Sequence, residues 1–221
     1  MLPKCLVYQI IIYLKSCIFT ASMKRNTFLK EPLVGIVLCG GESQRMGVDK
    51  AFIEYYTLPQ YAYMSSLMKE LVSDVFISCN HQQKDKIPNN FNCIIDKDTY
   101  GNAGPMSGVI SAFEKISNAA LLVVGCDYPM LCYEDLLGLL KAREESVDVV
   151  CYTNPNSGFD EPLLAIYEKQ CAISLQTYFK KDNFSLRHYL KTVHTKRILP
   201  NDEKSIQSID TPEEYIKWVK K

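Results

Sequence analysis

A chain of 221 residues whose 25 basic and 25 acidic side chains cancel lacks the excess positive charge needed to grip nucleic acid through its phosphates. Its 47% hydrophobic and 23% charged residues are ordinary for a soluble globular protein with a sizeable core, and they argue against general disorder. The nine cysteines are odd in number, lack a Cys-x-x-Cys pair and fall mostly inside apolar runs, so they read as small buried hydrophobes in a reducing cytoplasm rather than a disulfide framework.

Along the chain, the apolar run 5–14 comes first; it is too short to span a bilayer, and Lys15 closes it. Lys4 before it and Thr20-Ala21-Ser22 after it have the flanks of a signal peptide. The preferred reading is an N-terminal extension over 1–30 that is either not translated or disordered, with the working protein starting near Met23. A single domain then fills 31–221, with no stable membrane association expected. Apolar, β-branched runs follow at 33–39, 75–79, 93–95, 119–126, 147–152 and 162–167, most of them continuous rather than alternating, as for strands covered on both faces. Between and after them, 58–71, 108–116, 133–143 and 211–219 carry apolar residues at three- and four-residue spacing, and Thr211-Pro212-Glu213-Glu214 is a good helix start. This alternation predicts a three-layer, Rossmann-like α/β domain with a mainly parallel sheet.

In such sheets ligands bind beyond the carboxyl ends of the strands, so the residues that follow each run carry the functional signal. The first run opens into Leu38-Cys39-Gly40-Gly41-Glu42-Ser43-Gln44-Arg45-Met46-Gly47-Val48-Asp49-Lys50. Gly40 and Gly41 let backbone N–H groups approach an anion, and Arg45 and Lys50 supply countercharge, which suits a polyphosphate. The five residues between Gly41 and Gly47 break Walker A spacing, and no Gly-x-Gly-x-x-Gly begins at Gly40 or Gly41, so neither a P-loop nor a dinucleotide fingerprint is present. The run 93–95 ends in Asp96, and the run 119–126 ends in Asp127-Tyr128-Pro129. Asp127 is the candidate metal ligand, because a triphosphate is handled with Mg²⁺, which takes one or two carboxylates and fills its remaining positions with phosphate and water. Arg45 and Lys50 would offset the charge that gathers on departing pyrophosphate, with no nucleophile required from the protein. A second glycine-rich loop, 96–108, leads into a helix whose N-terminus can receive nucleotide groups. His81, His188 and His194 lack metal-ligand spacing and are expected at the surface.

The first loop, with its Arg-Met-Gly-x-Asp-Lys ending, resembles that of the molybdenum cofactor guanylyltransferase family. The resemblance continues through Gly104-Pro105-Met106-Ser107-Gly108, Cys126-Asp127-Tyr128-Pro129, Glu161-Pro162-Leu163-Leu164-Ala165, Ser185-Leu186-Arg187 and Asp210-Thr211-Pro212. It implies a fold of the nucleotide-diphospho-sugar transferase type. It also implies transfer of GMP from GTP to the phosphate of molybdenum-molybdopterin, giving the guanine dinucleotide cofactor, with molybdoenzymes or other cofactor-biosynthesis proteins as partners. The family's nucleotide contacts map onto Leu38, Cys39, Gly40, Lys50 and Asp96, and its metal-binding aspartate onto Asp127; Gly41, beside Gly40 in the loop, and Asp127 are nominated with them as nucleotide-binding residues. The chain departs from the family at Cys39, where alanine is usual; at Ser78, where a nucleotide-contacting asparagine is expected; and at Ser208-Ile209-Asp210, where Asn-x-Asn is usual. Glu161 is a candidate for the acceptor side. Two other readings remain: a cytidylyl or sugar-phosphate nucleotidyltransferase on the same fold, and a non-catalytic nucleotide-binding accessory protein.

Overall fold

The computed structural model describes residues 32–39, 49–101 and 103–219. Seven strands form one sheet: β1 (Leu33–Leu38), β2 (Val75–Cys79), β3 (Asn92–Ile95), β4 (Ala120–Gly125), β5 (Val149–Thr153), β6 (Asp160–Tyr167) and β7 (Thr195–Ile198). Their spatial order is β3-β2-β1-β4-β6-β5-β7, and only β6 runs against the others. Every residue of β1 and β4 is buried, as their unbroken apolar sequences require in the middle of a sheet covered on both faces.

Helices α1 (Gln60–Met68) and α4 (Tyr133–Lys141) lie over one face, sharing a core with Leu33, Val37, Leu122 and Val124. Between them in sequence come the single turn α2 (His81–Lys84) and α3 (Pro105–Lys115). The other face is covered by α3, α5 (Cys171–Phe179) and α6 (Leu186–Tyr189), packed on Val34, Ile36, Leu121 and Val123. Each such aliphatic side chain contributes about 1.5–3 kcal/mol on full burial. The last helix, α7 (Pro212–Val219), starts as its sequence indicates: Thr211 Oγ1 accepts the Glu214 N–H, and Glu214 Oε2 accepts those of Thr211 and Asp210.

The reversal of β6 has a local cause. Asn154 Oδ1 accepts the N–H groups of Asn156 and Ser157, and Gly158 adopts a φ of +70°, so the short turn from β5 folds back as a hairpin. This brings the amino end of β6, with Asp160 and Glu161, to the edge where β1 to β4 end. Elements within 168–210 were not anticipated: α5, α6 and β7 all lie there. The expected extension over 1–30 and loop residues 40–48 lie outside the described residues.

Candidate functional site

At the end of β1 the chain leaves the sheet through Leu38 and Cys39, both buried, and returns at Asp49 and Lys50. One side chain ties the two ends of this loop together. Gln83 Nε2 donates to the Cys39 carbonyl at 3.0 Å and to Asp49 Oδ2 at 2.8 Å, while Gln83 itself is fixed by a reciprocal cap with Asn80. Asp49 Oδ1 in turn accepts the Ala51 N–H and starts a single 3₁₀ turn, Lys50–Phe52, which points Lys50 from a fixed base. Gln83 was missed in the sequence, although Asn80 followed three residues later by Gln83 is a capping-box pattern.

On one side of the loop lies Asp96, beyond β3. Ser78 Oγ donates to Asp96 Oδ1 at 2.6 Å, so the serine that departs from the family pattern holds the neighbouring carboxylate in place. Burial raises the Asp96 carboxyl above its usual range, and the Ser78 bond opposes that rise. Gly108 of α3 allows this arrangement: a Cβ there would stand 2.6 Å from Ser78 Oγ and 2.7 Å from Leu38 Cδ2. Gly104, at φ +58°, turns the chain into the start of α3.

On the other side lies Asp127, beyond β4. Its Oδ1 is shielded from solvent and has no hydrogen-bond partner among the described residues, although part of the residue is exposed. Burial pushes its carboxyl up to about 6; nearby Lys50 pulls it down, while Asp210 and Glu161 push it up. Lys50 Nζ donates to Asp210 Oδ1 at 2.5 Å, and Ser208 Oγ holds the other Asp210 oxygen at 2.8 Å. The Asp127 carbonyl accepts the Ile209 N–H at 2.8 Å, so segment 208–210 is tied across the end of β4. Glu161 belongs to β6 itself and is half-buried, with Tyr128 donating to its Oε2 at 2.9 Å.

A cavity of about 370 Å³ opens beside Asp127, lined by Glu161, Phe184, Arg187, Ser208 and Asp210 among others. Asp96 stands three strand positions from Asp127, roughly 14 Å at sheet spacing, so the two flank the end of β1 rather than forming a carboxylate pair. Among the described residues no three His, Cys, Asp or Glu side chains form a metal-binding group, and no helix is long and apolar enough to cross a membrane. Asp127 and Asp210 line the same cavity, and each offers hard carboxylate oxygens of the kind Mg²⁺ takes in ones and twos. His81, His188 and His194 are exposed, as expected. Gly40, Gly41 and Arg45, which the sequence nominated, lie outside the described residues.

Residues 35–197 match the family described as "MobA-like NTP transferase domain". A molybdenum cofactor biosynthesis bifunctional protein of Synechocystis is 30% identical over 188 residues; the match covers 83% of this chain but only 53% of that protein, about half its length. A molybdenum cofactor guanylyltransferase of Campylobacter jejuni is 24% identical, with 83% of this chain and 93% of that protein covered. Among solved structures, molybdopterin-guanine dinucleotide biosynthesis protein A from Archaeoglobus fulgidus superposes with a TM-score of 0.69 at 18% identity, covering 84% of this chain and 96% of that one. A CMP:2-keto-3-deoxy-manno-octonic acid synthetase superposes with a TM-score of 0.61 at 10% identity, covering 84% and 95%. At these identities the two structures establish the shared fold.

Proposed function

The chain belongs to the MobA-like NTP transferase domain family, and we propose that it transfers GMP from GTP to the phosphate of molybdenum-molybdopterin. An acceptor phosphate oxygen forms a bond to the α-phosphorus of GTP as the bond from that phosphorus to the bridging β-phosphate oxygen breaks. Pyrophosphate leaves, and the product is the guanine dinucleotide cofactor. The observation that carries this reading is the buried, unpartnered Oδ1 of Asp127, set beside a lysine that is already held by a second carboxylate.

Asp127 would hold Mg²⁺, with Asp210 beside it. When bound, the ion supplies charge shielding for the triphosphate and fixes the geometry of its oxygens. The protein's own groups do the rest. Lys50 exchanges Asp210 for phosphate oxygens and stabilises charge as it builds on pyrophosphate. Asp96, held by Ser78, contacts the nucleoside side, and Gln83 keeps the ends of the first loop at a fixed spacing. Arg45, Gly40 and Gly41 complete the phosphate grip in this reading. A GTP-dependent reaction and the seven free thiols among the described cysteines support a cytoplasmic setting.

Pyrophosphate release measured with GTP, with molybdopterin and with both together tests the proposal. Release should require both substrates and Mg²⁺; release without molybdopterin, or none with it, refutes the transfer.

A further inference from the structure

Asp135 lies in the first turn of α4, is buried, and makes no ion pair among the described residues. A carboxylate buried without a cation is costly, and a neutral Gln at this position would complete a helix cap without burying a charge. What the charge holds is seen from its two oxygens. Oδ2 accepts the Cys132 N–H and Sγ–H, each at 3.0 Å, at the end of the loop that begins with Asp127. Burial, and then the bond to Asp135, push the Cys132 thiol up to about 12, so it stays a donor. Oδ1 accepts the Ser205 hydroxyl at 2.9 Å, a bond between two buried side chains 70 positions apart. The same hydroxyl reaches the Asp202 carbonyl at 2.8 Å and closes a turn just before Ser208 and Asp210. One carboxylate thus joins the two stretches of chain that carry Asp127 and Asp210.

From Ser205 the path to the site is short. Ile206 is fully buried in the core that Leu136 and Leu139 of α4 share. Ile209 packs with Ile53 and Tyr55, just past Lys50 in sequence, and its N–H goes to the Asp127 carbonyl. The apolar anchors keep segment 205–210 from lifting away, but hydrophobic contact is non-directional and resists sliding weakly. Hydrogen bonds are directional, and the Ser205 bond at one end and the Ile209 bond at the other fix the segment along its length. Asp135 is itself steady, because Tyr152 of β5 donates to its carbonyl at 2.8 Å.

We infer that Asp135, acting through Ser205, is a positioning residue for the triphosphate end of the site: it holds segment 205–210 in the register that sets Asp210 against Lys50 and beside Asp127. The assignment rests on the transfer proposed above and names the group, outside the cavity, that fixes its electrostatic geometry. An ionised acceptor suits the task, since hydrogen bonds to charged groups are roughly twice as strong as neutral ones. In turnover Lys50 exchanges Asp210 for phosphate, so the segment loses one anchor when its place matters most. The bond from Ser205 to Asp135 is made away from the ligand and stays.

The test titrates GTP at saturating Mg²⁺ without acceptor and reads an apparent Kd from the rise in Tm, for wild type, Ser205→Ala, Asp135→Asn and Glu168→Ala. Ser205→Ala removes the bond to the segment and should weaken GTP binding about threefold to tenfold, the net strength of one hydrogen bond. Asp135→Asn still offers Ser205 a neutral partner, so its loss should be smaller. Glu168→Ala breaks the pair with Arg143 elsewhere in the fold; it should lower Tm and leave the Kd within about twofold of wild type. In transfer assays the KM for GTP should follow the same order. A Kd for Ser205→Ala equal to that of wild type overturns the inference, as does an equal loss in Glu168→Ala or a larger one in Asp135→Asn than in Ser205→Ala. If wild type binds GTP but makes no dinucleotide, the transfer reading falls, and the order of Kd values still decides the positioning role. A wild-type Tm that GTP and Mg²⁺ leave unmoved overturns both.

Discussion

Replacing Asp127 by Asn should make the protein more stable and inactive at the same time. The Asp127 carboxyl, ordinarily near 3.8, is held at about 6 chiefly by burial. The folded state therefore binds this proton more tightly than the unfolded state, and stability contributed by the protonated form is lost as pH rises from about 4 to about 6. The difference corresponds to ~3 kcal/mol at 1.36 kcal/mol per pH unit. Solvent at the exposed part of the residue screens some of it, leaving roughly 1–3 kcal/mol. Asn is neutral and nearly isosteric, so it should recover that stability above about pH 6, where the wild type carries a buried charge, and should gain nothing near pH 4, where the wild-type carboxyl is protonated. Thermal unfolding of both proteins from about pH 4 to about pH 8 without metal reads the effect, at roughly 2–4 °C in Tm for each kcal/mol. Added Mg²⁺ should raise the wild-type Tm and leave the variant unchanged. If Asp127→Asn proves less stable than wild type at about pH 7.5, burial of an uncompensated charge at this position is disproved; if Mg²⁺ stabilises the variant to the same extent, Asp127 is not the metal ligand.

Other substitutions separate chemistry from packing. Lys50→Met should lower kcat/KM by about 10²–10³ in the pyrophosphate assay, while the half-exposed Asp210 partner makes the change in stability small, under about 1 kcal/mol in denaturant titration. Gly108→Ala places a Cβ 2.6 Å from Ser78 Oγ and 2.7 Å from Leu38 Cδ2; it should cost about 1–3 kcal/mol and raise the KM for GTP by disturbing Asp96. Glu168→Ala breaks a two-pronged pair with Arg143, both bonds 2.8 Å, and should cost about 3–5 kcal/mol in urea unfolding while leaving kcat of the folded fraction unchanged.

The central strands were legible because burial on both faces demands unbroken apolar runs, and β1 and β4 have them. Asp96 and Asp127 were legible for the related reason that residues just past such runs stand at the ligand-binding edge. The region 168–210 was not legible. β7 is a four-residue edge strand reading Thr-Lys-Arg-Ile, with no residue fully buried, so it has little apolar signal to give. In α5 only Cys171 and Leu175 are buried, while Ile173 is 77% exposed, which blurs the helical period. Helix α2 is a single turn whose signal lay in its cap rather than its pattern. Asp210 was visible as part of the Asp210-Thr211-Pro212 motif and as a departure from Asn-x-Asn, but not as the partner of Lys50. Its pairing with Lys50 joins positions 160 apart in sequence and exists only once the sheet has formed.

Guanylyl transfer itself is read most plainly by incubating the protein with molybdenum-molybdopterin, Mg²⁺ and GTP labelled at the α-phosphate, then identifying the labelled product by mass. The label should appear in a molybdopterin guanine dinucleotide, with unlabelled pyrophosphate released in equal amount. Product formation with CTP but not GTP, or label recovered in free GMP alone, would contradict it.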